Sequence, residues 1–326
     1  MTLAPSPSTI SYVDPVSSTP FAGYSLRKAV SAYTGPAIRV RRSSDDTEQD
    51  INFTTANELD TDALTTFVGA GNDGFVTTWY DQAGSNDMIQ PTAANQPRIV
   101  IAGTVQTMDN GTPAIDFVAA DFLYRTTSDA LLSSPSISSL VIGEYNSTGT
   151  WMVLHTSMSY YLGGADRKQF SFKNGGTNAV TLNTRGSGGS VTQGATAAIG
   201  YAAGASGSFV SVNGTQTSIT DGALPTNAGN HLIFGDHRAT GYFVGKQSEA
   251  LFYTSVLSSS DYTAIEDNQE QYWTNASPTY ITGPVPSVEA TVYGSAYITG
   301  NLGVGTTSPT TTLDVDGTAR LRSLGS

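Results

Sequence analysis

Phe209-Val-Ser-Val-Asn-Gly-Thr-Gln-Thr217 sets two short alternating stretches on either side of Asn213-Gly214. Period-two alternation sends successive side chains to opposite faces of a strand. An Asn-Gly pair supplies the two positive-φ residues of a type I′ turn, whose twist matches the strands it joins. The stretch therefore predicts a β-hairpin. Outward from it, similar short runs recur at Phe75–Tyr80, Arg98–Ala102, Ala114–Phe117, Ser139–Tyr145, Trp151–His155, Gln169–Lys173, Val180–Asn183, His231–Phe234 and Gln247–Thr254. Gly, Asn, Pro or Ser punctuates them, the pattern of an all-β sandwich or barrel.

Helical spacing occurs in three places. Leu26, Ala29, Val30 and Tyr33 predict a helix over 24–33, stopped by Gly35-Pro36. Asp60 is placed to cap a helix through Ala63, Leu64, Phe67 and Val68, ending at Gly69. Ser260 is the expected cap of a last helix through Tyr262, Ile265, Gln269 and Tyr272 to Trp273, with Asp261 in its first turn. Residues 1–19, rich in Pro, Ser and Thr, read as an arm or linker, 20–275 as a globular head, 276–288 as a Pro-containing linker and 289–326 as a β-stem.

Charged residues make up only 13% of the chain against 34 glycines, the balance of strands and turns with a hydroxyl-rich surface. A net charge of -12 repels phosphate backbones and anionic headgroups, so neither nucleic acid nor membrane insertion is expected. No cysteine is present, which excludes disulfides and thiolate metal sites. The three histidines, His155, His231 and His237, show no metal-ligand spacing. No cofactor is expected; a calcium ion held by loop carboxylates is the one alternative, and the sequence shows no dense Asp/Asn ladder for it. The segment Met1-Thr-Leu-Ala-Pro-Ser-Pro-Ser8 has no basic region leading into an apolar core, so no secretion leader is expected.

Near the C-terminus a unit occurs twice, Val292-Tyr-Gly-Ser-Ala-Tyr-Ile298 and Val315-Asp-Gly-Thr-Ala-Arg-Leu321. Such short β units bury nothing alone and need neighbours. The words between, Ile298-Thr-Gly-Asn-Leu-Gly-Val-Gly-Thr-Thr-Ser-Pro309 and Leu313-Asp-Val-Asp-Gly-Thr-Ala-Arg-Leu321, resemble a stem segment of bacteriophage tail fibres. That resemblance implies a homotrimer joined through the stem, a virion or extracellular location, and an N-terminal arm that contacts other virion proteins. It also suggests that a C-terminal chaperone domain has been cleaved away after Ser326. A bacterial surface adhesin is an alternative with the same architecture.

In the head, Tyr24-Ser-Leu-Arg-Lys28, Ala32-Tyr-Thr-Gly-Pro-Ala-Ile-Arg-Val-Arg-Arg-Ser-Ser-Asp45, Asp50-Ile51 and Trp79-Tyr-Asp-Gln-Ala-Gly-Ser-Asn-Asp87 resemble the opening of the arabinofuranosidase B catalytic domain. Gly241-Tyr-Phe-Val-Gly-Lys-Gln-Ser-Glu-Ala-Leu-Phe-Tyr253 is similar to the closing strand of laminin-G or concanavalin-like lectin domains. Together they imply a concanavalin A-like jelly-roll β-sandwich with a few short helices. In that frame Trp79, Tyr80, Asp81, Gln82, Asp87 and Glu249 read as structural, since loop carboxylates commonly accept backbone N–H groups.

Glycoside hydrolysis needs two carboxyl groups facing one bond. Between Val118 and Asp236 the acids Asp121, Asp129, Glu144, Asp166 and Asp221 are scattered, and the paired cysteines of the resembled hydrolases have no counterpart. A non-catalytic head is therefore expected, binding cell-surface glycans or decorating the fibre, with an arabinofuranosidase-like hydrolase on a fibre as the alternative. Sugar sites pair aromatic faces with planar hydrogen-bonding groups. Trp151, His155, Tyr160, Tyr161, Asp166 and Arg167 form one candidate cluster, and Asp236, His237 and Arg238 a second loop.

Overall fold

A computed structural model describes residues 19–118, 120–125, 134, 136–145, 150–154, 170–173, 179–182, 186–204, 208–220, 233–235, 244–274, 302–304 and 313–315. The chain divides into two units, Tyr12–Ala276 and a smaller one containing Ser277–Ser326.

The larger unit begins with β1 (Ala22–Ser25), β2 (Ile38–Arg42), β3 (Glu48–Ile51), α1 (Thr61–Val68), β4 (Gly74–Trp79), β5 (Met88–Ile89), β6 (Arg98–Ile101) and β7 (Thr104–Val105). There follow β8 (Ile115–Phe117), β9 (Phe122–Tyr124), β10 (Ile137–Tyr145), β11 (Thr150–Leu154), β12 (Phe170–Lys173), β13 (Ala179–Leu182) and β14 (Gly186–Ser190). It closes with β15 (Thr196–Ala203), β16 (Phe209–Val212), β17 (Thr215–Ser218), β18 (Ile233–Gly235), β19 (Gly245–Tyr253) and α2 (Ser259–Trp273). The main sheet runs β17-β16-β15-β10-β19-β8-β6-β4-β5-β9-β18, with β1 on β19, β2 on β4, β3 on β2 and β7 on β6. A second sheet is β11-β12-β13-β14. The unit is mostly antiparallel and β-sandwich-like, with two short α-helices among the described residues.

Strand β19 lies at the centre because it is apolar on both faces. Ala250 and Phe252 join the main core with Ile115, Phe117, Val141, Ile199 and Trp79. Leu251 and Tyr253 point the other way, into a second cluster with Leu140, Ala202, Phe209, Tyr262, Ile265 and Leu257. That second cluster is covered by α2. Burying Tyr262, Ile265 and Trp273 from the helix contributes about 1.5–3 kcal/mol each.

The hairpin expected at Asn213-Gly214 forms between β16 and β17, with φ of 46° and 75° at the two turn residues. Helix α1 starts as expected, Asp60 accepting the Ala63 N–H at 2.9 Å, and Gly69 ends it at φ 79°. Helix α2 starts two residues earlier than expected, with Ser258 as cap accepting from the Asp261 N–H at 3.1 Å. The helix expected over 24–33 does not form. Ala22–Ser25 pairs with β19 instead, and beyond it the Leu26 and Lys28 N–H groups donate to the Ser248 and Asn57 carbonyls while one side chain holds the neighbouring positions. Gln82 Oε1 accepts the Ala29 and Val30 N–H groups at 2.8 and 3.4 Å, while its Nε2 donates to the Ser25 and Arg27 carbonyls at 3.0 and 2.9 Å. The spacing of Leu26, Ala29 and Val30 reflects burial of a loop.

The smaller unit contains β20 (Leu302–Val304) and β21 (Leu313–Val315), paired in parallel with Leu302 beside Leu313 and Val304 beside Val315. The repeated unit at Val292–Ile298 and all of the second copy after Val315 lie outside the described residues.

Candidate functional site

The loop Asp81–Asp87 is an internal brace. Asp81 Oδ1 accepts the Gly23 and Ala83 N–H groups at 2.9 and 3.0 Å, and its Oδ2 accepts the Asn86 N–H at 3.2 Å. Asp87 Oδ1 accepts the Asp81 N–H at 3.0 Å, and burial pushes the Asp87 carboxyl above its ordinary range. Trp79 is fully buried, and Gln82 nearly so. Tyr80 is half-buried and donates its hydroxyl to Asp50 Oδ1 at 2.8 Å. The loop thus ties β1 to the end of β4, with the buried Asp81 carboxylate accepting backbone N–H groups from β1 and from the loop itself.

Glu249 is sealed within the protein at 0% exposure. Its Oε2 accepts from Ser25 Oγ at 2.7 Å, Arg27 Nε at 2.8 Å and Trp273 Nε1 at 3.1 Å. Its Oε1 accepts from Arg27 Nη2 and Gln269 Nε2, both at 3.0 Å. Burial alone would raise its carboxyl, but the Arg27 guanidinium and the converging donors outweigh burial and hold it below the usual range. Arg27 in turn lies under the Tyr272 ring, 4.6 Å from its centroid, and donates to Asn268. A carboxylate so satisfied has no capacity left for a substrate. Ser25, Arg27 and Gln269 complete this network; only the Tyr24-Ser-Leu-Arg motif pointed toward them in the sequence.

A further charged row crosses four strands. Arg98, Asp116, Lys246 and Glu144 are lateral neighbours on β6, β8, β19 and β10. Lys246 Nζ lies 3.4 Å from Glu144 and donates to the Thr107 carbonyl at 2.6 Å, while Glu144 accepts the Asp109 N–H at 3.0 Å. The row therefore pins the segment after β7 to the sheet. Nearby, burial raises the Asp116 carboxyl and pushes Asp121 up to about 6. On α2, burial with Glu266 and Asp267 alongside pushes Glu270 up to about 7.

Of the proposed ligand-binding residues, Trp151 stands in β11, its side chain outside the described residues. His155, Tyr160, Tyr161, Asp166, Arg167, Asp236, His237 and Arg238 lie outside them altogether; Asp236 directly follows β18. Among the described residues no group of three or more His, Asp or Glu side chains could hold a metal ion, and no helix is long and apolar enough to cross a membrane.

Residues 15–121 match the family described as Alpha-L-arabinofuranosidase B, catalytic, which covers the first third of the chain. No curated protein sequence matches it. The fold is similar to that of an α-L-arabinofuranosidase soaked with a cyclic sulfate inhibitor, at 16% identity and TM-score 0.59. It is also similar to an arabinofuranosidase complexed with arabinofuranosyl-α-1,2-xylobiose, at 17% identity and TM-score 0.60. In both cases 76% of this chain is covered, and it spans 62% of the length of the solved structure. The head thus has an arabinofuranosidase-like fold, to which the concanavalin A-like description is only loosely related. The expectation that the head is not an enzyme is corrected by the match of residues 15–121, since the family matched is described as a catalytic one. That expectation rested on the scatter of acids between Val118 and Asp236 and on the missing cysteine pair; of those acids Asp129, Asp166 and Asp221 lie outside the described residues.

Proposed function

We propose that the head is an arabinofuranosidase-like glycoside hydrolase that removes α-L-arabinofuranosyl groups from a glycan, and that an oligomeric stem carries it outside the cell or on a virion. The observation that carries the reading is the match of residues 15–121 to a catalytic family, joined to a shared fold over three-quarters of the chain. Hydrolysis requires one carboxyl as acid and a second as base or nucleophile across the scissile bond. Glu249, Asp81 and Glu144 are engaged in bracing, and among the remaining acids Asp166 and Asp236, which belong to the two candidate glycan-binding segments, are the first to test. The resemblance of residues 298–321 to tail-fibre stems, with the parallel pairing of β20 and β21, supports the stem. Three heads on one stem would turn weak glycan contacts into avidity.

The test is release of nitrophenol from 4-nitrophenyl α-L-arabinofuranoside, and of arabinose from arabinan and arabinoxylan, by the full-length chain. Turnover is expected, falling by about 10²–10⁴-fold in Asp166→Asn or Asp236→Asn. A chain that turns over none of the three substrates overturns the reading.

A further inference from the structure

The sheet formed by β3, β2, β4, β5 and β9 has one face turned away from the main core, and one row of side chains crosses all five strands of it. Asp50 stands beside Arg39, Arg39 beside Thr78, Thr78 beside Ile89 and Ile89 beside Tyr124. Laterally paired residues share a face. The residues that alternate with them, Ile38, Val40, Trp79, Met88 and Leu123, are fully buried, so the row looks outward. Four strand spacings of about 4.8 Å give it a length of about 19 Å.

Its two ends differ chemically. At one, Arg39 Nη1 donates to Asp50 Oδ1 at 2.9 Å, with 38% and 42% of the two side chains exposed. The Tyr80 hydroxyl meets the same carboxylate oxygen. At the other, the half-buried rings of Phe122 and Tyr124 lie 5.7 Å apart at 41°. Tyr124 is in backbone register with Ile233 of β18, the next strand of the sheet.

We propose that this face is a binding lane for a neutral, linear glycan, running from Tyr124 to the Arg39–Asp50 pair. Sugar rings present apolar C–H faces that stack on aromatic side chains and hydroxyl edges that bond planar carboxylate and guanidinium groups. The lane offers both, separated by Thr78 and Ile89. Its charge selects against polyanions: Arg39 is matched by Asp50 and also by Glu48 at 2.7 Å, within a chain of net charge -12. Ion pairs at one end and a threonine in the middle also distinguish it from the charge-depleted core of a protein interface. The lane takes its substrate class from the glycan-directed reading above, but it does not depend on catalysis.

The full-length chain would be titrated calorimetrically with linear arabinohexaose and xylohexaose, and with a polygalacturonate oligomer as the anionic comparison. Binding of a neutral hexasaccharide is expected, weakened by about tenfold in Tyr124→Ala and in Arg39→Ala. Arg39 is a surface group, so its variant keeps the fold. Thr78→Trp, which places bulk mid-lane, should weaken it as well. If the wild type binds neither neutral hexasaccharide, prefers the polyanion, or is matched by all three variants, the lane is refuted. Lane-dependent binding by a chain that turns over no arabinofuranoside would uphold the lane and sink the hydrolase reading. Turnover of the aryl arabinofuranoside without hexasaccharide binding would do the reverse.

Discussion

Glu249 stands where three elements meet: β19 carries it, β1 supplies Ser25 and the chain two residues beyond it Arg27, and α2 supplies Gln269 and Trp273. Such a pair is not itself a strong source of stability, because desolvating both charges offsets most of their attraction. Breaking it is costly, because one charge stays buried alone. Glu249→Gln is expected to lower the free energy of unfolding by about 3–5 kcal/mol at neutral pH, read from urea denaturation. The pH dependence follows from the depressed carboxyl. A group whose folded pKa lies below its unfolded value stabilises the fold above the ordinary glutamate range, and that contribution is lost as pH falls through the folded value. The gap between wild type and variant should therefore narrow in acid. A gap that stays constant with pH would show that the ionised carboxylate is not its source, and a variant as stable as the wild type at neutral pH would show that the network contributes nothing.

At the scale of elements, β15 shows how a helix dictates a strand. Its sequence, Thr-Ala-Ala-Ile-Gly-Tyr-Ala-Ala, is small because α2 and β10 press close on it. At Gly200 an added Cβ would collide with the Ser139 carbonyl and the Tyr262 hydroxyl. Neither is a free side-chain end, since Tyr262 already donates to that carbonyl at 3.2 Å. Gly200→Ala should cost about 1–3 kcal/mol, seen as a lower urea midpoint with unchanged slope. An unaffected midpoint would mean that α2 shifts without penalty. The same strand explains what could be read in advance. Features set by a few neighbouring residues were legible: the Asn213-Gly214 turn, the Asp60 cap and the apolar stripe of α2. Strand β15 was not, because its small residues answer to a helix some sixty positions later. Residues 24–33 misled because Gln82, far along the chain, supplies hydrogen bonds that a helix would have made for itself. The Asp81–Asp87 and Glu249 motifs announced themselves clearly, but as scaffold. The candidate loops around Trp151 and Asp236 rest on composition alone, which carries little information about geometry.

For the whole molecule the question is what completes the smaller unit. Leu302–Val304 and Leu313–Val315 make a parallel pair joined by residues 305–312 alone. Parallel strands are less stable per residue than antiparallel ones and are normally joined by a longer, packed crossover. An isolated two-stranded ladder is marginal at best in water. In sequence both strands read Leu-x-Val, apolar at alternate positions, the pattern of a strand that needs neighbours to bury it. Further copies of the chain are the simplest source of cover, and the stem resemblance makes three the expected number. Light scattering on the full chain should then return a trimer, and a chain ending at Ala276, the boundary between the units, should return a monomer that still unfolds cooperatively. A trimer that survives the truncation would move the association into the head. A monomeric full chain would leave β20 and β21 without their cover and remove the avidity argument, while the glycan lane and the hydrolase test would stand on the head alone.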